Sequence, residues 1–205
     1  MEEHMPPSTP RRRWGCLLPL TVAILVVAGF AGYLKLQAWS ERSHPPAAAP
    51  ADLCAAIGPT LFEQLVPDGV RQTESIYSSG SDAACDYSTA DNRPIGSDMY
   101  GFLHVRLLRY GQVGWDSGAD RASAALAHSC KGTAVAGQFH GASGLGNEAC
   151  TVYSEEGQGG TAHGSAVVRR GADLFWVDYY RHPGTAQQAR QAVTEVALAS
   201  LAGVS

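Results

Sequence analysis

The sequence predicts an α+β protein: one N-terminal membrane helix, then an antiparallel sheet packed with about three helices and stapled by two disulfides. Three observations predict it. Residues 15–34, GCLLPLTVAILVVAGFAGYL, form a 20-residue apolar run without a charge. Downstream, strand-like segments follow one another through short turns, with helical segments between the groups, which is the pattern of α+β rather than alternating α/β folds. Four cysteines, Cys54, Cys85, Cys130 and Cys150, lie beyond the apolar run.

Twenty residues at about 1.5 Å rise make roughly 30 Å of helix, one hydrocarbon core. Arg11, Arg12 and Arg13 stand directly before the run, against Lys35 and Arg42 after it. The excess of positive charge predicts a cytoplasmic tail over 1–14, a transmembrane helix over 15–34 and everything beyond Lys35 outside the cell, that is, a single-pass plasma-membrane protein. A cleaved signal peptide is the competing reading, although its apolar stretch is usually about 7–15 residues. A lipid anchor on Cys16 fits poorly, because the apolar residues follow this cysteine instead of preceding it. Residues 35–50 end in HPPAAAP and read as an extended Pro/Ala-rich linker. Residues 51–205 are then one extracytoplasmic domain of ordinary size.

That domain holds 16 Asp plus Glu and 10 Lys plus Arg, a formal charge of −6. An acidic surface with no basic cluster excludes nucleic acid and docking on anionic headgroups. An even number of exported cysteines reads as two disulfides. Of three possible connectivities, Cys54–Cys85 with Cys130–Cys150 closes two modest loops that do not cross. Each bond then requires a helix to pack beside a strand.

Asp52 caps a short helix with Leu53, Ala56 and Ile57, and Pro59 opens a second turn with Leu61, Phe62 and Leu65. Pro67-Asp68-Gly69 is a turn. Strands are expected over 70–77 and 84–88, and a better one over 99–110, where Leu103, Val105 and Leu107 alternate with His104, Arg106 and Leu108. Ser117 and Asp120 make a capping box for a helix with Ala122, Ala125, Leu126 and Ser129. After a glycine-rich stretch come strands 149–153, 165–170 and 174–181, the last two joined by Gly171-Ala172-Asp173. Thr185 and Gln188 box the start of a last helix whose apolar stripe is Ala189, Val193, Val196, Ala197 and Leu201. The order α-β-β-β, α-β-β-β, α hints at a duplication without a residue-level repeat.

Motifs for chemistry are few. Gly144-Leu145-Gly146-Asn147-Glu148-Ala149 matches G-x-G-x-x-A, but a strand is expected after it where a dinucleotide site needs a helix N-terminus. Its glycines are expected to serve a turn. Ser143 with His140 is the nearest approach to a hydrolase nucleophile and base, although the elbow lacks its final glycine. His104, His128, His140, His163 and His182 are scattered without metal-ligand spacing. Glu155-Glu156 reads as solvated charge in a hairpin loop, and Arg169-Arg170 as a hairpin edge. Residues 174–180 are expected mainly as core, with a ligand-stacking surface as the alternative. Asp178 is the odd residue there, with Arg106 or Arg109 as candidate partners. No catalytic residue, cofactor or metal site is assigned.

Asp52-Leu53-Cys54, Cys85-Asp86-Tyr87, Gly144 to Ala149, the hydrophobic hairpin over 166–179 and the closing Ala-rich helix give residues 52–201 a likeness to a known group. They resemble a family of uncharacterised actinobacterial exported proteins, many of them lipoproteins, related to extracytoplasmic sensor domains of receptor kinases. The resemblance implies an α+β domain that senses ligands, and transfers no catalytic residue. The chain departs from the lipoprotein members by lacking a lipobox, so its anchoring differs. The expectation is therefore a membrane-anchored, non-enzymatic domain that binds a small envelope ligand or a protein partner. A structural component of an envelope complex and a hydrolase using Ser143 and His140 are the alternatives.

Overall fold

The computed structural model describes residues 17–66, 68–73, 76–90, 99–157 and 160–204. The expected tail 1–14, Cys16 and Pro67 lie outside the described residues.

Helix α1, Leu17–Ser43, is 27 residues long. Its stretch Val22–Trp39 is long and apolar enough to cross a membrane, and none of that stretch is buried against the rest of the chain. The linker expected over 35–50 is corrected in two respects. The helix continues through Ser43, because Leu36, Gln37, Ala38 and Trp39 are compatible with helix and the first prolines stand only at 45 and 46. The remaining residues form a strap laid on the domain. The Ala49 amide donates to Gly80 O at 2.7 Å, the Gln112 amide to His44 O at 3.3 Å, and Arg109 Nη1 to Ala48 O at 2.8 Å.

Short helices α2, Leu53–Ile57, and α3, Pro59–Leu65, come next. Asp52 caps α2 by accepting from the Ala55 amide at 3.0 Å, and Pro59 starts α3, as the sequence predicts. The strand expected over 70–77 is split into β1, Gly69–Arg71, and β2, Tyr77–Ser79. Both pair antiparallel with the same edge of β3, Asp82–Thr89. Between the pairs Arg71↔Tyr87 and Tyr77↔Ala84 the first segment spans six residues and β3 only three, so the pairing cannot run in one register from β1 to β2. Strand β4, Tyr100–Arg109, closes this first meander.

Helix α4, Gly118–Cys130, starts with the complete Ser117–Asp120 capping box. The glycine-rich stretch after it carries small strands that sequence patterning does not reveal: β5, Thr133–Ala134, β6, Gly137–Gln138, and β7, His140–Ala142. The second meander is β8, Glu148–Glu156, β9, Thr161–Arg170, and β10, Asp173–His182. Glu155 and Glu156 thus end a strand instead of lying in a loop. Helix α5, Ala186–Gly203, starts with the complete Thr185–Gln188 box.

The main sheet runs β1-β3-β4-β10-β9-β8-β7, with β2 also on β3 and every pair antiparallel. The two meanders meet through β4 and β10. Alternation along the strands sorts side chains onto two faces. One face, with Cys85, Leu103, Val105, Leu107, Ala166, Val168, Phe175 and Val177, forms the main core with α2, α3 and α5. There Gly164 lets α5 approach: a Cβ would stand 2.8 Å from Val193 Cγ2. The other face, with Cys150, Val167 and Leu174, packs on Leu126 of α4. The disulfides are Cys54–Cys85, with Cα atoms 5.1 Å apart, and Cys130–Cys150, 5.9 Å apart. One staples α2 to the first meander and the other staples α4 to the second, on opposite faces. That arrangement is unlike two copies of one unit.

Arg169 and Arg170 are structural rather than a free basic edge. Arg169 pairs with Glu148 at 3.1 Å, and Arg170 donates to the Leu201 and Val204 carbonyls, capping the C-terminus of α5.

Candidate functional site

Helix α4 covers only one end of the second face. The open remainder is a cleft of about 520 Å³ on the sheet, with the β5–β6 turn (Val135, Ala136) at its side. Its floor is set by strand register. Asp86, His104, Asp178 and Ser165 are successive partners across β3, β4, β10 and β9, so they form one polar row. Ser88, Phe102, Tyr180 and His163 are the next row on that face, and Tyr100 and His182 lie beyond.

Within the polar row, His104 Nδ1 hydrogen-bonds Asp86 Oδ1, and Ser165 Oγ donates to Asp178 Oδ1 at 2.6 Å. Asp86 is buried, His104 half-buried and Asp178 exposed. The hydrogen bond that Asp86 accepts from the protonated ring raises the His104 pKa. Burial opposes the rise, and the charges of Asp86 and Asp178 add to it. The row therefore places the His104 imidazole between the side chains of Asp86 and Asp178, the second of which opens to solvent.

The aromatic rows are ordered by their own contacts. Tyr100 and Tyr180 stack with centroids 5.3 Å apart and their hydroxyls 2.9 Å apart. His163 meets Tyr180 edge-on at 4.4 Å, and His182 stacks on Tyr100 at 5.2 Å. The Tyr100 hydroxyl beside it raises the Tyr180 phenol pKa. Thr161 Oγ1 holds His182 Nδ1 at 3.1 Å. Phe102 is left 39% exposed on the floor.

Strand β10 is core on one side and lines the cleft on the other. Phe175, Val177 and Tyr179 are core, while Asp178 and Tyr180 face the cleft. The expected arginine partners of Asp178 are engaged elsewhere. Arg106 grips Asp82 through Nε at 3.1 Å and Nη2 at 2.6 Å, and Arg109 pairs with Asp173 at 3.4 Å. Asp178 is exposed to water and takes Ser165 as its partner, so no buried charge needs neutralising there.

The other singled-out residues stand apart from the cleft. Ser143 and His140 are both exposed, and no hydrogen bond joins them. Among the described residues no serine hydroxyl bonds a histidine ring, the contact that activates a nucleophile of that type. Gly144 and Gly146 have φ of +81° and +60° in the turn between β7 and β8, and the Asn147 amide donates to Arg169 O at 2.8 Å. The chain leaves this turn as strand β8, so no helix N-terminus faces the glycines. Among the described residues no group of three or more His, Cys, Asp or Glu is placed to hold a metal ion.

Ser165, Asp86 and the histidines 163 and 182 escaped sequence reasoning as site residues. The signal that would find them is the alternation of His104 on β4 extended across neighbouring strands, which needs the register.

No family model, curated protein or solved structure matches this chain.

Proposed function

We propose that this is a single-pass membrane protein whose C-terminal domain faces outward and binds a small ligand, without catalysis, in the open half of the sheet face. The observation that carries the reading is the cleft: His104, Asp178 and Ser165, with Asp86 buried behind His104, lie beside the exposed ring of Phe102 and the half-buried ring of Tyr180. Polar groups converging in an apolar-floored concavity are the ordinary signature of a ligand site. Asp178 offers an acceptor to a cationic or hydroxyl-bearing group, and the rings offer a surface to a flat or apolar part of the same molecule. The apolar helix α1 supports the anchor, and two disulfides support an oxidising compartment outside the cytoplasm. The resemblance to exported sensor-type domains points the same way.

The test is a thermal-shift screen of the full-length protein in lipid nanodiscs against amines, sugars and small peptides. A ligand held at a hundred times its Kd raises Tm by on the order of 5 °C. The shift is expected to disappear in Asp178→Asn. A ligand whose shift survives Asp178→Asn and Tyr180→Ala binds elsewhere and contradicts the assignment.

A further inference from the structure

The turn between β4 and α4 lies against the end of the membrane helix. The Val113 and Asp116 backbones exchange two hydrogen bonds of 3.0 Å, with Gly114 and Trp115 at the tip. Gly114 has φ of +59°, the sign a type II′ turn needs at its first central position. The turn is fixed from three sides. Arg121 Nη1 donates to Gly111 O at 2.7 Å, Gln112 Nε2 to Gly114 O at 3.1 Å, and the Gln112 amide to His44 O in the strap. A Cβ on Gly111 would stand 2.7 Å from Pro46 Cδ, and one on Gly114 would stand 3.4 Å from Gln37 Cγ, so the turn touches both the strap and α1.

Trp115 is nevertheless 90% exposed, more than any other large apolar residue among the described ones. It lines a small apolar hollow of about 140 Å³ together with Tyr33, Leu36 and Trp39 of α1. Contact with Gln37 sets its height. Gln37 is three residues past the end of the charge-free run at Leu34, about 4.5 Å along the axis. The headgroup layer on each side of a bilayer is roughly 5–8 Å thick. The tip therefore sits at headgroup depth, level with Trp39.

We infer that this turn is a second membrane contact: Trp115 inserts into the lipid interface beside α1 and seats the domain directly on the bilayer. The inference rests on the membrane-anchor reading above. Trp and Tyr rings favour this layer because one edge is apolar and the other hydrogen-bonds to water or headgroups. Residues 110–115 carry no charge and the domain is acidic, so the contact is with the uncharged interface and not with anionic lipid. Because the turn is already held by its hydrogen bonds, insertion orders nothing new. The strap then acts as a short tether that keeps one orientation of the domain.

The test uses full-length protein in phosphatidylcholine vesicles whose chains carry bromine either close to the headgroups or close to the methyl ends. The pair Trp14→Phe and Trp39→Phe leaves Trp115 over the Trp176 background. The pair Trp14→Phe and Trp115→Phe leaves Trp39 over the same background, which the triple variant measures alone. Trp115 is expected to emit at short wavelength and to lose most of its emission to shallow bromines and little to deep ones. If Trp39 is quenched and Trp115 is not, the inference fails and the anchor stands. If neither is quenched, the membrane reading fails with it. A blue-shifted Trp115 that no bromine quenches is covered by protein, which also overturns the inference.

Discussion

Ser165 faces Asp178 across β9 and β10 and donates a 2.6 Å hydrogen bond to its Oδ1. The bond turns the serine proton toward a carboxylate instead of a histidine, and leaves the second carboxylate oxygen toward the cleft. Asp178→Asn keeps the shape and removes the charge. Being exposed, the substitution is expected to change stability by no more than about 0.5 kcal/mol while abolishing ligand-induced stabilisation. Ser165→Ala is expected to cost about 1 kcal/mol, the worth of a lost hydrogen bond at a buried hydroxyl. Urea melts with and without a ligand found by thermal shift check both. Equal losses of stability and binding in Asp178→Asn would make that residue structural.

The Asp86–His104 pair gives the protein a pH dependence of known sign. The folded state favours protonated His104, so its pKa lies above the ordinary 6.5. The stabilisation is complete below that ordinary value and is lost as pH rises through the raised folded value. Denaturation midpoints measured between about pH 5 and 9 are expected to fall toward the alkaline end, and His104→Gln is expected to flatten that fall. An unchanged slope in His104→Gln would place the titration elsewhere.

The glycines of the turn before β8 are expected to act as turn residues with distinguishable costs. At Gly144 a Cβ meets nothing within 4 Å, so Gly144→Ala carries only the positive-φ strain, about 1 kcal/mol. At Gly146 a Cβ would also overlap the Arg169 carbonyl oxygen, so Gly146→Ala is expected to cost about 3 kcal/mol. Similar costs at the two sites, from chemical denaturation, would contradict this account of the turn.

Non-reducing peptide mapping is expected to return Cys54 with Cys85 and Cys130 with Cys150. Removing either bond by paired Cys→Ala is expected to cost about 3–4 kcal/mol, from loops with sequence separations of 31 and 20. A Cys54–Cys150 bond would contradict the architecture, since it would join helix and strand groups on opposite faces.

Much of the fold was legible because its signals are local. Asp52, Ser117 and Thr185 sit where their helices begin, and Leu103, Val105 and Leu107 alternate along one strand. The helix–strand staples are implied by cysteine spacing. What was hidden depends on neighbours. Strands β5 to β7 are two or three residues long and glycine-rich, too short for alternation to show. Residues 70–77 pattern as one strand, yet β3 accommodates only its two ends. The helical residues 35–43 were masked by the prolines after them. His104 was recognisable as facing the polar side of β4, but Asp86, Asp178 and Ser165 join it only through register across three other strands.

The central claim, an outward-facing domain held by an uncleaved helix, is tested most directly by protease treatment of intact spheroplasts carrying one tag before Met1 and another after Ser205. The account predicts that the C-terminal tag is lost while the N-terminal tag remains, protected, on a membrane-bound fragment. Protection of the C-terminal tag would contradict the outward orientation, and absence of the N-terminal tag from the untreated, mature protein would show that the helix is a cleaved signal and not an anchor.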